Sequence, residues 1–265
     1  MFQSFEVTSR PEQGPPRLAA LRNEIKAEGL DGFLVPRADV HQGEYVAPHD
    51  ERLQWLTGFT GSAGFCAALV GAAGVFIDGR YRTQVKTQIA DVYTPVAWPE
   101  VSLAEWLREQ LPQGGIVGFD PWLHAAAQIE QLNGALEGSD IEMRRCDNLV
   151  DRIWKDQPAP PVQIAKVHPI EFAGESHADK AARLGKSLRD CGAAAAVITL
   201  PDSLCWLLNI RGADIARNPV MHGFVVLHGS GNVDLFADPA KVGQLKPHLG
   251  STVTLHAPEA LLDYV

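Results

Sequence analysis

The chain has 265 residues, a formal net charge of −9 at pH 7, and 46% hydrophobic and 21% charged residues. That length accommodates two domains of ordinary size, each able to bury a core, in a composition normal for soluble globular protein. The acidic balance argues against a nucleic-acid or anionic-membrane surface, no apolar stretch approaches bilayer length, and residues 1–10 lack a basic-then-apolar signal peptide.

In chain order, residues 1–16 read as an extended tail ending in Pro15 and Pro16, with Pro16 and Arg17 suiting the first turn of a following helix. Leu18, Leu21 and Ile25 fall on one helical face, and Gly29 closes the run as a C-cap. A buried strand, Phe33-Leu34-Val35, comes next, followed by a polar stretch from Asp39 to Tyr45 with His49, Asp50 and Glu51 beyond it. Leu53-Gln54-Trp55-Leu56 precedes a glycine-rich connection at 58–64 and a strand ending Val75-Phe76-Ile77-Asp78. A strand at 92–96, a helix at 102–110, a strand at 115–119, a helix at 123–136 and a closing segment to Trp154 complete this region.

The same order then recurs. Ala181, Leu184 and Leu188 repeat the first helix and Gly192 repeats its cap; Ala196-Val197-Ile198 repeats the first strand. Leu204-Cys205-Trp206-Leu207 repeats the tryptophan segment, Gly212 the position of Gly61, and Leu235-Phe236-Ala237-Asp238 the segment ending at Asp78. Self-similarity over this length implies one architecture used twice. The second copy has a strand at 252–255 and only the start of a helix at 259–265, so the expectation is an N-terminal piece of a longer protein with an incomplete second copy.

Alternating helices and strands predict α/β domains, each a sheet flanked by helices. Val225-Val226-Leu227, a Gly-Ser-Gly-Asn turn and Leu235-Phe236 read as an antiparallel hairpin, which makes the sheet mixed. The expected boundaries are a first domain over 17–155, a Pro-rich linker over 156–173 and a second domain over 174–265. Cys66, Cys146, Cys191 and Cys205 lack metal-type spacing and read as reduced thiols of a cytoplasmic protein.

Candidate functional residues gather in three places. The stretch containing His41, Glu44 and Tyr45 is an insertion relative to the second copy, and function concentrates on such loops. Its imidazoles and carboxylates suit a metal or proton transfer; the absence of HxH, HxxxH or HExxH spacing favours a solvated, locally hydrogen-bonded loop instead. Asp78 and Asp238, the latter opening the counterpart segment Asp238-Pro239-Ala240-Lys241, read as helix caps, and Arg80 and Tyr81, for which that segment offers no structural role, as contacts to something outside the domain. Arg211 and Asp214 read either as an ion pair fixing their loop before the Asn218-Pro219 turn or as a face for a neighbouring domain or peptide. The glycine-rich 58–64 segment precedes a strand-like run rather than a helix and has no following Lys-Ser/Thr, so it reads as a tight connection, not a phosphate cradle. No complete nucleophilic apparatus is present.

Taken together, Val35-Pro36, the Asp39–Tyr45 stretch, Gly58-Phe59-Thr60-Gly61-Ser62-Ala63-Gly64 and Asp78-Gly79-Arg80-Tyr81 resemble the first domain of three-domain Xaa-Pro aminopeptidases in the creatinase-like family. Trp206-Leu207-Leu208-Asn209-Ile210-Arg211-Gly212, with Asp214 and Asn218-Pro219, resembles their second domain; Gly43 departs from the family's common Ser. The resemblance implies two creatinase N-terminal-like domains, and a third, pita-bread catalytic domain absent here. That domain would hold two divalent ions, typically manganese, on two Asp, one His and two Glu. The whole protein would be a cytoplasmic, homodimeric metallopeptidase that removes an N-terminal residue when proline is second. The present chain would bind no metal and be inactive alone. His41, Glu44, Tyr45, Arg80, Tyr81, Arg211 and Asp214 are then candidates for a substrate channel or an interdomain contact. The competing readings are a non-enzymatic peptide- or protein-binding module with the same fold, and a hydrolase using the His41 and His49 loop.

Overall fold

The structure, a computed structural model, describes residues 8–265 and divides into two compact units. The first comprises the chain to Asp39 and Pro48–Pro158; the second comprises Val40–Ala47 and Ala159–Val265. Among the described residues no helix is long and apolar enough to cross a membrane.

In the first unit the six strands β1 (Gly32–Pro36), β2 (Phe65–Leu69), β3 (Ala73–Ile77), β4 (Thr94–Ala97), β5 (Gly115–Phe119) and β6 (Ile141–Arg145) form one sheet ordered β4-β3-β2-β1-β5-β6. β1, β2 and β3 are antiparallel neighbours, while β4, β5 and β6 join in parallel, so the sheet is mixed as its sequence predicts. Helices α1 (Gly14–Ala27), α2 (Arg52–Thr57), α3 (Val85–Gln88) and α6 (Leu149–Ile153) belong to this unit, with α4 (Leu103–Gln110) and α5 (Ala126–Ala135). Leu18, Leu21 and Ile25 of α1 are fully buried with Phe33 and Val35 of β1 and with Leu149, Val150 and Trp154. On the opposite face Leu34 packs with Phe76, Trp106, Leu107 and Phe119. Strand residues alternate between faces, so β1 supplies both cores.

The expected tail differs from what folds. Residues 1–7 lie outside the described residues, but Pro11–Gln13 is a 3-10 turn and α1 already begins at Gly14. Proline fits a helix's first turn, whose N–H groups lack intrahelical acceptors, so Pro15 and Pro16 sit inside the helix rather than before it. Ser9 ties this segment down through its hydroxyl, which donates to the Gly58 and Gln88 carbonyls.

The second unit repeats the plan with β8 (Ala195–Ile198), β10 (Phe224–His228), β11 (Val233–Phe236) and β12 (Val253–His256), ordered β12-β11-β10-β8. Pairing is antiparallel, antiparallel and parallel in the same sequence as in the first unit, and the hairpin expected between β10 and β11 forms in the register Phe224↔Phe236 to Leu227↔Val233. Between the units' cores the chain is not wholly irregular: β7 (Lys166–Val167) pairs with β9 (Ile210–Arg211), and α7 (Ile170–Ala173) forms one turn. Helices α8 (His177–Asp190) and α9 (Pro201–Leu208) match α1 and α2; α10 (Pro239–Val242), α11 (Lys246–Leu249) and α12 (Leu261–Tyr264) follow. α1 and α8 end identically. Gly29 (φ 65°) and Gly192 (φ 78°) turn left-handed, and the next N–H reaches back five residues, Leu30 to Ile25 (2.9 Å) and Ala193 to Leu188 (2.8 Å).

Candidate functional site

The polar stretch after β1 folds as an irregular loop that is only partly solvated, and Val40–Ala47 belongs to the second unit. His41, Val46 and Ala47 are buried, Val40 packs against Phe224, Val226, Phe236 and Leu261, and Gln42 turns the chain at φ 58°. The His41 ring lies 4.5 Å from the His222 ring and 4.6 Å from that of Phe224. Burial pushes its pKa down to about 4, and the positive charge of Lys241 adds to that, against the opposing pull of the Thr199 backbone. Its enclosure among aromatic rings thus favours the neutral imidazole.

Below it lies a buried ion pair. Lys241 Nζ bonds Asp214 Oδ2, and both side chains are almost wholly enclosed. The other valences are filled: Asp214 accepts from the His222 N–H (2.6 Å) and the Gln163 N–H (3.3 Å), and Lys241 donates to the Pro161 and His222 carbonyls. The pair thus clamps the main chain of His222, whose ring lies tilted against that of His41. The alternative expected from sequence, an Arg211–Asp214 ion pair, is not what forms. Asp214 is taken by Lys241, and the Arg211 guanidinium donates to the carbonyls of Cys205 (3.2 Å) and Ile210 (2.8 Å).

Arg80 and Tyr81 sit in the first unit. The Tyr81 hydroxyl accepts from the Ser62 N–H (3.1 Å) and bonds the Ser62 hydroxyl (2.6 Å), with its ring edge-on to Phe59. Arg80 bonds the Asp78 carboxylate (2.7 Å), lowering that group's pKa, and lies over the Tyr81 ring. Asp78 also caps its turn through the Arg80 N–H, as Asp238 does through Ala240. Tyr81 thus has a structural role within its own unit that its second-copy position did not suggest. Lys241 stands three residues after Asp238 as Tyr81 does after Asp78, and it too reaches back to the loop after the tryptophan helix. Different chemistry does one structural job, which residue-by-residue matching does not reveal.

The glycine-rich segment is a tight connection. A Cβ on Gly61 would meet the Phe59 ring at 2.2 Å, and one on Gly64 (φ 152°) the Phe76 carbonyl at 2.7 Å. Glu44 and Tyr45 remain exposed, Tyr45 by 49%, on the Val40–Ala47 strap. The structure thus joins His41 and Asp214 in one cluster, holds Arg80 and Tyr81 elsewhere, and leaves Glu44 and Tyr45 as the outward residues. Among the described residues no three His, Cys, Asp or Glu side chains converge as a metal-binding group.

Two family models, both described as creatinase/prolidase N-terminal domain, match residues 17–153 and 156–265. The chain belongs to the creatinase/prolidase N-terminal domain family. Both of its units therefore carry the creatinase N-terminal fold. A probable Xaa-Pro aminopeptidase P of Coccidioides posadasii is 37% identical over 265 residues, covering 98% of this chain and 41% of that protein. One from Paracoccidioides brasiliensis is 38% identical over 245 residues, covering 90% and 40%. The X-prolyl aminopeptidase of Caenorhabditis elegans, described as a cytosolic enzyme with a di-nuclear active site, superimposes with a TM-score of 0.87 at 27% identity, covering 95% of this chain and 43% of that one. The creatinase-type chain here spans about two fifths of the length of these relatives.

Sequence reasoning missed Lys241, His222 and Lys180. Lys180 is the clearest omission. It is buried in α8, donates to the Trp206 carbonyl (2.9 Å) and Asn209 Oδ1 (2.7 Å), and lies 4.3 Å over the Trp206 ring. Burial lowers its pKa, with Arg211 adding to that and Glu175 opposing it. A signal existed: Arg17, the residue before Leu18, occupies the same place in the first copy as Lys180 does before Ala181.

Proposed function

We propose that this chain forms the two non-catalytic N-terminal domains of a Xaa-Pro aminopeptidase, which hydrolyses the N-terminal residue from short peptides with proline second. The observation that carries the reading is the superposition over 95% of the chain on an X-prolyl aminopeptidase, at a TM-score of 0.87. The 37% identity to a probable Xaa-Pro aminopeptidase P supports the same reading. The relatives are more than twice as long as this chain, and we assign the two divalent ions, manganese by preference, to a catalytic domain outside it. No step of the reaction is attributed to residues of this chain. Cytoplasmic location and homodimerisation of the whole protein belong to the same proposal.

The domains' part is to wall the approach to the catalytic centre. Glu44 and Tyr45 suit that role: a carboxylate and a phenol on a strap whose other residues are anchored by burial of His41, Val46 and Ala47. An exposed carboxylate can attract a peptide's ammonium terminus without a desolvation penalty at rest. The test compares the full-length protein with the 265-residue chain on Xaa-Pro peptides, with manganese and after chelation. Full-length turnover lost on chelation, with none from the short chain, is expected. Metal-dependent turnover by the short chain overturns the reading, as does an inert full-length protein, which would favour a peptide-binding module.

A further inference from the structure

The chain leaves or re-enters the first unit at three points: Asp39 to Val40, Ala47 to Pro48, and Pro158 to Ala159. One polar network, lying wholly within the first unit, takes hold of the chain beside each of them. Before the first point, the Arg37 guanidinium donates to the Ser62 carbonyl (3.0 Å) and pairs with Glu51 (3.6 Å). Just after the second, His49 Nδ1 bonds the Pro158 carbonyl (2.6 Å), and the His49 carbonyl accepts from Gln157 Nε2 (3.0 Å). A carbonyl only accepts, so the proton sits on Nδ1 and the bond fixes that tautomer. Gln157 Nε2 also donates to Asp151 Oδ1 (3.1 Å). Arg52, opening α2, grips Asp151 of α6 through two bonds of 2.7 and 2.9 Å and gives a third to Asp50 (2.9 Å). These contacts close a ring through residues 49, 50, 52, 151, 157 and 158.

An isolated, exposed ion pair would add little. Arg52 is instead 5% exposed, and its fork holds a carboxylate at two points, a geometry that fixes position as well as charge. The ring therefore makes the start of the Pro-rich segment part of the first unit. The second unit takes its own hold further on. Lys241 donates to the Pro161 carbonyl (3.4 Å), Asp214 accepts from the Gln163 N–H (3.3 Å), and the Ala165 N–H bonds the Lys241 carbonyl (3.0 Å). Between the two holds stand Ala159 and Pro160, both exposed. Each precedes a proline, which disfavours helical backbone and keeps the segment extended.

We infer that the joint between the units is the two-residue segment Ala159 and Pro160, and that the His49–Gln157 ring is a latch that keeps it so short. With the latch open, the unheld run starts after the buried Trp154 and spans residues 155–160, six in place of two. His49 and Gln157 are positioning residues, and the inference does not rest on the peptidase reading.

The test is amide hydrogen exchange over residues 155–159 of the full-length protein. The Gln157 N–H bonds the Trp154 carbonyl (3.2 Å), and Ala159 is the only residue from 158 to 161 with an N–H. Protection at Gln157 and none at Ala159 is expected, since held backbone exchanges more slowly than free backbone. Two substitutions separate the latch from mere packing: His49→Asn sets its amide nitrogen where Nδ1 stands, and His49→Gln sets it where Nε2 stands. His49→Gln should speed exchange at Gln157 by about tenfold, the equivalent of one lost hydrogen bond, and His49→Asn by less than about twofold. Gln157→Leu opens the ring from the other side and should speed exchange at its own position as His49→Gln does, which keeps the test decisive if a substitution at residue 49 fails to fold. Protection at Ala159 equal to that at Gln157 overturns the two-residue joint. Unchanged exchange in both His49→Gln and Gln157→Leu overturns the latch, as does equal acceleration by His49→Asn and His49→Gln.

Discussion

The two units start from the same sheet and differ in how much of it is covered. In the first, β1 is an interior strand with apolar cores on both faces, one holding Phe33 and Val35 and the other Leu34. In the second, β8 is an edge strand; one face is packed, but the other carries only the small cluster of Phe224, Val226, Phe236 and Leu261 with Val40 and Ala260. The same local pattern therefore gives different energetics, because burial is a property of what packs against a strand rather than of the strand. The second unit also relies more on polar groups inside: a Lys241–Asp214 pair, a buried Lys180 and a buried His41. The first unit's main counterpart is Arg52, which bonds Asp50 and Asp151 at 2.7–2.9 Å.

The sharpest break of that comparison is Asp214→Ala. It leaves Lys241 charged and buried without its partner, and we expect a loss of about 3–5 kcal/mol in denaturant unfolding. The double variant Asp214→Leu with Lys241→Met should recover most of it, and a double variant as unstable as the single one would show that the charges themselves matter.

Next come matched deletions in the equivalent strands. Leu34→Ala should cost about 2–5 kcal/mol, as for other buried leucines. Val197→Ala, half exposed in this chain, should cost under about 0.5 kcal/mol. Comparable losses would contradict the picture of one covered and one open sheet face.

The third concerns pH. His41 has a folded pKa of about 4 against an ordinary 6.5. Below 6.5 the unfolded chain binds a proton that the folded one refuses. Its contribution is thus fully present above pH 6.5 and is lost as pH falls towards 4, by up to about 3 kcal/mol. Urea unfolding of the 265-residue chain between pH 7 and 4, against His41→Asn, should show a shallower pH slope in the variant. Identical slopes would place the imidazole in solvent.

The smallest effect is a cap in each unit. Ser102 and Glu105 form a reciprocal box at the start of α4, and Ser176 accepts from the Asp179 N–H at the start of α8. Replacing either serine with alanine should lower stability by about 1 kcal/mol. An effect at one helix and none at the other would show that α4 and α8 depend on their caps differently.

The legible parts were those whose physics is local. Helical spacing in Leu18, Leu21 and Ile25 located α1, and Gly29 and Gly192 marked left-handed termini that only glycine adopts at little cost. The strand at 115–119 matched to the residue, and the repeat itself exposed the duplicated sheet. The candidate site was legible as a set of residues but not as an arrangement. His41 looked like a loop histidine because nothing in Asp39–Tyr45 says that the segment leaves its own unit's chain neighbours and is buried in the other unit's grouping. Tyr81 read as an outward contact because the second copy suggested no structural role for it, and only the folded loops show Tyr81 and Lys241 reaching equivalent places.

The sequence by itself determined the periodicity, the caps and the use of one α/β plan twice, since each depends on residues a few positions apart and on the stereochemistry of the backbone. The tertiary structure alone decided which polar groups are buried together, which acid takes Lys241, and that β8 is an edge while β1 is not. Those outcomes depend on groups distant in the chain competing for the same desolvated space, and the winner is set by packing that no local pattern encodes.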